Sequence, residues 1–149
     1  MKNSVKKLYQ DFFAQYPQLS VCSSDIAEAF EAICNCYRTG GKLLVCGNGG
    51  SASDAEHIVG ELMNKFAFRR PAPEQMRERL HETGAKNADY LFSKLEQGLA
   101  AISLVSQTSL MTAIINDVGV DMVFAQQVYG YGKAGDILLA LSTSGNSPN

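Results

Sequence analysis

No stretch of this 149-residue chain approaches the length of a membrane-spanning helix. Charge of one sign is scarce as well: 13 Lys and Arg stand against 15 Asp and Glu, a formal net charge of −2. That balance excludes bulk electrostatic binding to nucleic acid or to an anionic membrane. The N-terminus, MKNSVKKLYQDFFAQYPQL, starts basic but lacks the apolar core and small-residue cleavage site of a secretory signal. A cytoplasmic protein without membrane or nucleic-acid partners is therefore expected. Paired CxxC spacings are absent. Cys22, Cys34, Cys36 and Cys46 contain a single CxC, which argues against a cysteine zinc site and for small buried or half-buried thiols in a reducing compartment. Internal repeats and low-complexity tracts are lacking too.

What is present suits one soluble domain with a real core: 46% of residues are apolar. Val5, Leu8, Tyr9, Phe12, Phe13 and Tyr16 recur at helical spacing, and so do Ile26, Ala29, Phe30, Ile33, Cys34 and Tyr37. Asp25 with Glu28 resembles a capping box at the second start, and Thr39-Gly40-Gly41 ends that helix. Residues 1–39 thus form N-terminal helices. Their apolar stripes can pack on the domain's own sheet or on another subunit.

Three apolar runs follow: KLLVC (42–46), AAISLV (100–105) and DILLAL (136–141). None alternates with polar residues, so the spacing predicts parallel strands buried on both faces. Helical patterns cover 52–66, 108–117 and 121–132. The order predicts a three-layer, doubly wound α/β sheet. Residues 69–98, charged and with Pro71 and Pro73 at their start, break this rhythm. They are too short for a core of their own and read as a helical insertion within a single domain over 1–149.

Open α/β sheets take ligands beyond the carboxyl ends of their strands. All three strand-end loops are small and polar: Gly47-Asn48-Gly49-Gly50-Ser51, Ser106-Gln107-Thr108-Ser109 and Ser142-Thr143-Ser144-Gly145-Asn146-Ser147. Backbone N–H groups, hydroxyls and a helix N-terminus make such loops suited to a phosphate. Gly47, Gly49 and Ala52 also satisfy a dinucleotide fingerprint, but the acidic residue expected at the end of the next strand is missing. On the following helix Asp54, His57 and Glu61 share one face, while Ala55, Ile58, Val59 and Leu62 point to the core. His57 and Glu61, one turn apart, can reach one metal ion or one reacting carbon. Asn116-Asp117 reads locally as a helix stop with Asn tolerating a left-handed backbone, or as part of a site.

CGNGGSASDAEHIVGEL, IIND and LLALSTSGNS, in this order, resemble the sugar isomerase (SIS) domain, and within it the phosphoheptose isomerases. The resemblance implies conversion of sedoheptulose 7-phosphate to D-glycero-D-manno-heptose 7-phosphate through a cis-enediol, an aldose–ketose isomerisation on the route to surface heptoses. It implies that Ser142, Thr143, Ser144 and Ser147 hold the phosphate, that Asn48, Gly49, Gly50 and Ser51 line the sugar, and that Asn116 and Asp117 touch substrate. His57 and Glu61 become zinc ligands, with Glu61 also the base. A homo-oligomer, dimer or tetramer, with sites shared between subunits is implied as well.

Two departures accompany the resemblance. The 69–98 insertion can cover the site, alter an interface or narrow the substrate range. The family also completes its sheet after STSGNS and takes a Gln and a His, further metal ligands, from a late helix that has no counterpart here. Ser147 and Pro148 read as the start of a helix. An SIS domain incomplete at its C-terminus is thus expected, inactive alone, with an unpaired sheet edge and exposed apolar helix faces. The rival reading is a non-catalytic SIS module, a sugar-phosphate sensor or an adaptor of the replication-initiator-associating type. His57 and Glu61 favour the enzyme, since a binding module needs neither a base nor metal ligands.

Overall fold

A computed structural model describes residues 3–149; the first two residues of the expected N-terminal helical segment lie outside it. The chain divides into two compact units, Met1–Asn35 and Cys36–Asn149. Helix α1 spans Asn3–Gln15 and α2 spans Ser23–Arg38, with a short 3-10 turn at Pro17–Cys22 between them. In the first unit the aromatic stripe of α1 is consolidated by edge contacts of Phe13 with Tyr9 and Phe12, ring centroids 4.7 and 5.1 Å apart. Tyr9 Oη donates to the carbonyl of Ser23 at 2.5 Å. The capping box expected at Asp25 does not start α2. The 3-10 turn runs straight into the helix, with Ser23 N–H donating to Ser20 O, so Asp25 lies inside the first turn.

The second unit holds a three-stranded parallel sheet, β1 (Leu43–Gly47), β2 (Ala101–Ser103) and β3 (Ile137–Leu141), in the order β2-β1-β3. Helix α3 (Gly50–Met63) packs against the sheet, and Ala55 on it is fully buried. Leu44 and Cys46 enter a core cluster with Leu104, Val123 and Phe124, flanked by Met111 of α6 (Thr108–Asp117) and Val128 and Tyr131 of α7 (Ala125–Tyr131). Alternate β1 side chains thus face opposite layers. Every β1 residue is buried, as a central parallel strand requires. In β3 only half the expectation holds: Leu138 is 48% exposed and Ala140 is exposed, because that face borders an open groove beside Phe124, Val128 and Tyr129.

The N-terminal ends of β1 and β3 are pinned by one carboxylate. Asp136 pairs with the Lys42 ammonium and accepts from Lys42 N–H at 2.9 Å and Lys133 N–H at 2.8 Å. The Lys42 bonds hold its carboxyl at about 2, below the ordinary 3.8. The insertion forms two short helices that pack on each other, α4 (Glu74–Glu82) and α5 (Ala88–Lys94). All four cysteines are free, with Cys36 and Cys46 buried and Cys22 and Cys34 half-buried. Among the described residues no helix is long and apolar enough to cross a membrane.

Candidate functional site

With β2 and β3 on opposite sides of β1, strand order reverses at β1, and the crevice beyond the carboxyl ends there is where open sheets bind ligands. A cavity of about 190 Å³ lies there, lined by Cys46, Gly47, Asn48, Ser142, Gly145 and Ser147, among others. Gly47 is needed for its floor: a Cβ there would stand 2.6 Å from Ser51 O, so only glycine lets α3 start this close to the strand. Gly49, at φ +56°, turns the chain into α3, and the first turn closes by Ser51 N–H to Asn48 O and Ala52 N–H to Gly49 O, both 3.0 Å. The positive end of the α3 dipole therefore begins at the cavity wall.

The opposite wall is the seryl loop. Ser142 Oγ accepts from Gly145 N–H at 3.0 Å and Ser144 Oγ from Asn146 N–H at 3.3 Å. These bonds use acceptor lone pairs and leave each hydroxyl proton able to donate to an anion. Asn48 and Asn149 exchange side-chain amide bonds of 2.9 and 3.2 Å, joining the two walls. Cys46 also faces the cavity, where burial raises its thiol above the ordinary value.

The loop after β2 does not share this cavity. Ser106 Oγ instead donates to Glu56 on α3 at 2.8 Å. Asn116 and Asp117 lie exposed at the end of α6, where Asn116 Nδ2 donates to Asp117 Oδ1 at 2.7 Å. Neither has a left-handed backbone; Gly119 is the residue with positive φ there. Residues 146–149 carry no regular structure.

His57 and Glu61 do share a face of α3: Nε2 and Oε1 are 3.6 Å apart. Asp54 beside them is exposed, Ala55 is buried, and Ile58, Val59 and Leu62 are half-buried. The pair is not part of the cavity lining. At 1.5 Å rise per residue, Glu61 stands roughly 16 Å along the helix from Gly50. Glu61 Oε2 is buried with no hydrogen-bond partner. A carboxylate with one oxygen beside an imidazole nitrogen and the other without a partner fits two donors of a zinc site. Among the described residues no group of three or more His, Cys, Asp or Glu side chains could hold a metal.

Two residues of this region carry no motif in the sequence: Asn149 on the cavity wall, and Arg70, whose guanidinium reaches the end of α3. A cation shortly after a helix end was the only available hint for the last.

The SIS domain model matches residues 18–98, which contain the β1 loop and α3. The chain is 36% identical over 149 residues to a phosphoheptose isomerase of Campylobacter jejuni subsp. jejuni serotype O:6, covering 100% of this chain and 66% of that protein. It is 41% identical over 129 residues to one of Methylibium petroleiphilum, covering 87% and 52%. The structure of a phosphoheptose isomerase from Neisseria gonorrhoeae superposes with a TM-score of 0.65 at 33% identity, over 98% of this chain and 62% of that one. The chain thus spans between about half and two thirds of the length of these relatives.

Proposed function

The chain belongs to the SIS domain family, and on that footing we propose that the protein carrying it is an aldose–ketose isomerase that interconverts sedoheptulose 7-phosphate and D-glycero-D-manno-heptose 7-phosphate. The observation that carries the reading is the cavity between the Gly47-Asn48 turn and the seryl loop, at the head of the helix that bears His57 and Glu61. The named activity of the relatives above supports it.

In this reading the hydroxyls of Ser142, Thr143, Ser144 and Ser147, with the N-terminus of α3, bind the phosphate. Asn48, Gly49, Gly50 and Ser51 flank the sugar, and Asn116 and Asp117 contact it in the assembled protein. Anchoring the phosphate fixes which carbon meets the base. Glu61 takes the proton from one carbon and returns it to its neighbour as the substrate passes through the enediol. His57 holds the carboxylate in place. These two residues would also hold a zinc ion, which when bound polarises the sugar carbonyl.

Because the pair lies along α3 outside the cavity walls, the arrangement we propose is a homo-oligomer in which His57 and Glu61 of one copy serve the cavity of its neighbour. Its setting is the cytoplasm, where phosphorylated sugars and free thiols both persist. Turnover of sedoheptulose 7-phosphate by the protein carrying this chain, with His57→Ala as control, tests the reading. Binding of the sugar phosphate without turnover would leave a non-catalytic module in its place.

A further inference from the structure

The glutamate proposed as the base sits in the final turn of α3, two residues before the helix ends. A helix ends with carbonyl oxygens that have no intrahelical partner. In α3 a single side chain takes up several of them. The two hydrogens of Arg70 Nη2 are shared among three carbonyls, Glu61 O at 3.3 Å, Leu62 O at 2.7 Å and Asn64 O just past the helix end. Its Nε donates to Gln97 O at 2.9 Å. Leu62 O takes a second bond from Leu99 N–H at 2.8 Å. One planar fork therefore ties the helix end to the return segment ahead of β2. A cation here also matches the negative end of the helix dipole.

The insertion supplies the mount. Gln97 N–H donates to Arg70 O at 2.7 Å, and Pro71 bridges to Glu96, so the two ends of the excursion close on each other. Glu96, with a side chain only 9% exposed, pairs with Lys65 at 3.4 Å and Arg69 at 3.5 Å. By contrast, among the described residues the Glu61 carboxylate has an ion pair with His57 alone, at 3.6 Å, and its Oε2 has no hydrogen bond. The carboxylate inherits its position from the backbone that Arg70 holds.

We propose that Arg70, mounted on the base of the 69–98 excursion, is a positioning residue for the isomerisation: it fixes the last turn of α3 and with it the reach of Glu61. This rests on the role assigned to Glu61 above. A misplacement of about 1 Å between base and carbon costs about a hundredfold in rate. Lysine cannot substitute, because one ammonium on a flexible stem does not reproduce the planar fork.

The test compares wild type with Arg70→Lys and Arg70→Gln in the protein carrying this chain. Steady-state kinetics with sedoheptulose 7-phosphate are read beside hydrogen exchange along α3. The expected result is a fall in kcat of about ten- to a hundredfold with KM within about twofold, since Arg70 bonds to no residue that lines the phosphate cavity. Exchange should rise in the last turn of α3 and stay unchanged in its first. Millimolar guanidinium should restore part of kcat to Arg70→Gln. Unchanged kcat in both variants overturns the inference, as does a loss in which KM and exchange rise along the whole helix. A wild type that does not turn over the substrate would sink the isomerase reading itself, and this role with it. Normal wild-type turnover with unaffected variants would sink this role alone.

Discussion

The Cβ of an alanine at position 47 would stand 2.6 Å from the carbonyl oxygen of Ser51. That oxygen belongs to the first turn of α3, so relief requires backbone movement between β1 and the helix it leads into. Gly47→Ala is expected to lower stability by about 1–3 kcal/mol, read as a shift in urea midpoint. Gly50→Ala has open space around its Cβ and should leave the midpoint nearly unchanged. Equal midpoints for the two variants would refute the close approach.

The seryl loop offers hydroxyl protons to an anion. Removing one hydrogen bond to a charged group costs about 1.5–3 kcal/mol. Ser147→Ala and Ser142→Ala should therefore each raise KM for the sugar phosphate by about tenfold or more, with a smaller effect on kcat. Inorganic phosphate should compete with substrate in wild type and compete less well in both variants. A KM that stays at the wild-type value would remove the loop from the phosphate site.

Asp136 gives the fold a pH-dependent clamp. The Lys42 ammonium, then the Lys42 and Lys133 amides, lower its carboxyl to about 2 from the ordinary 3.8. A group with a depressed folded value stabilises above its unfolded value, and that stabilisation is lost as pH falls through the folded one. Asp136→Asn should melt earlier than wild type near neutral pH. The gap should narrow between about pH 4 and pH 2. A gap that is the same at both ends of that window would show that the ionised carboxylate contributes nothing.

The proposed sharing of the site between copies predicts complementation. Glu61→Gln retains a good cavity and Ser147→Ala retains a good base. Mixing the two inactive or weakened proteins under conditions of subunit exchange should produce hybrid sites with both parts intact, and activity should rise above that of either alone. Activity that stays at the average of the two would place cavity and base in the same copy.

Much of this was legible in the residues. A continuous apolar run is enough to mark β1 as a strand buried on both faces, and α6 begins at Thr108 and ends at Asp117 as its spacing predicts. The three polar loops and the His57–Glu61 pair could be read because each is local. Strand order could not. Only with β2 and β3 flanking β1 does the cavity belong to the first and third loops, while the Ser106 loop turns to Glu56. Helix ends were displaced for similar reasons. The α3 pattern suggests 52–66, yet Gly49 lets the helix start at Gly50, and Asn64, with ψ −152°, ends it before Phe66. The 121–132 pattern conceals a 3-10 turn at Val120–Met122 ahead of α7, which follows the reversal at Gly119. Arg70 was invisible because its partners lie on segments brought together only by the insertion's closed base.

The most direct measurement is the turnover number of Glu61→Gln against wild type with sedoheptulose 7-phosphate, both proteins folded and saturated with substrate. The account predicts a fall of at least about a hundredfold, with the affinity for inorganic phosphate retained. A Glu61→Gln protein that isomerises the sugar within about twofold of the wild-type rate would contradict it.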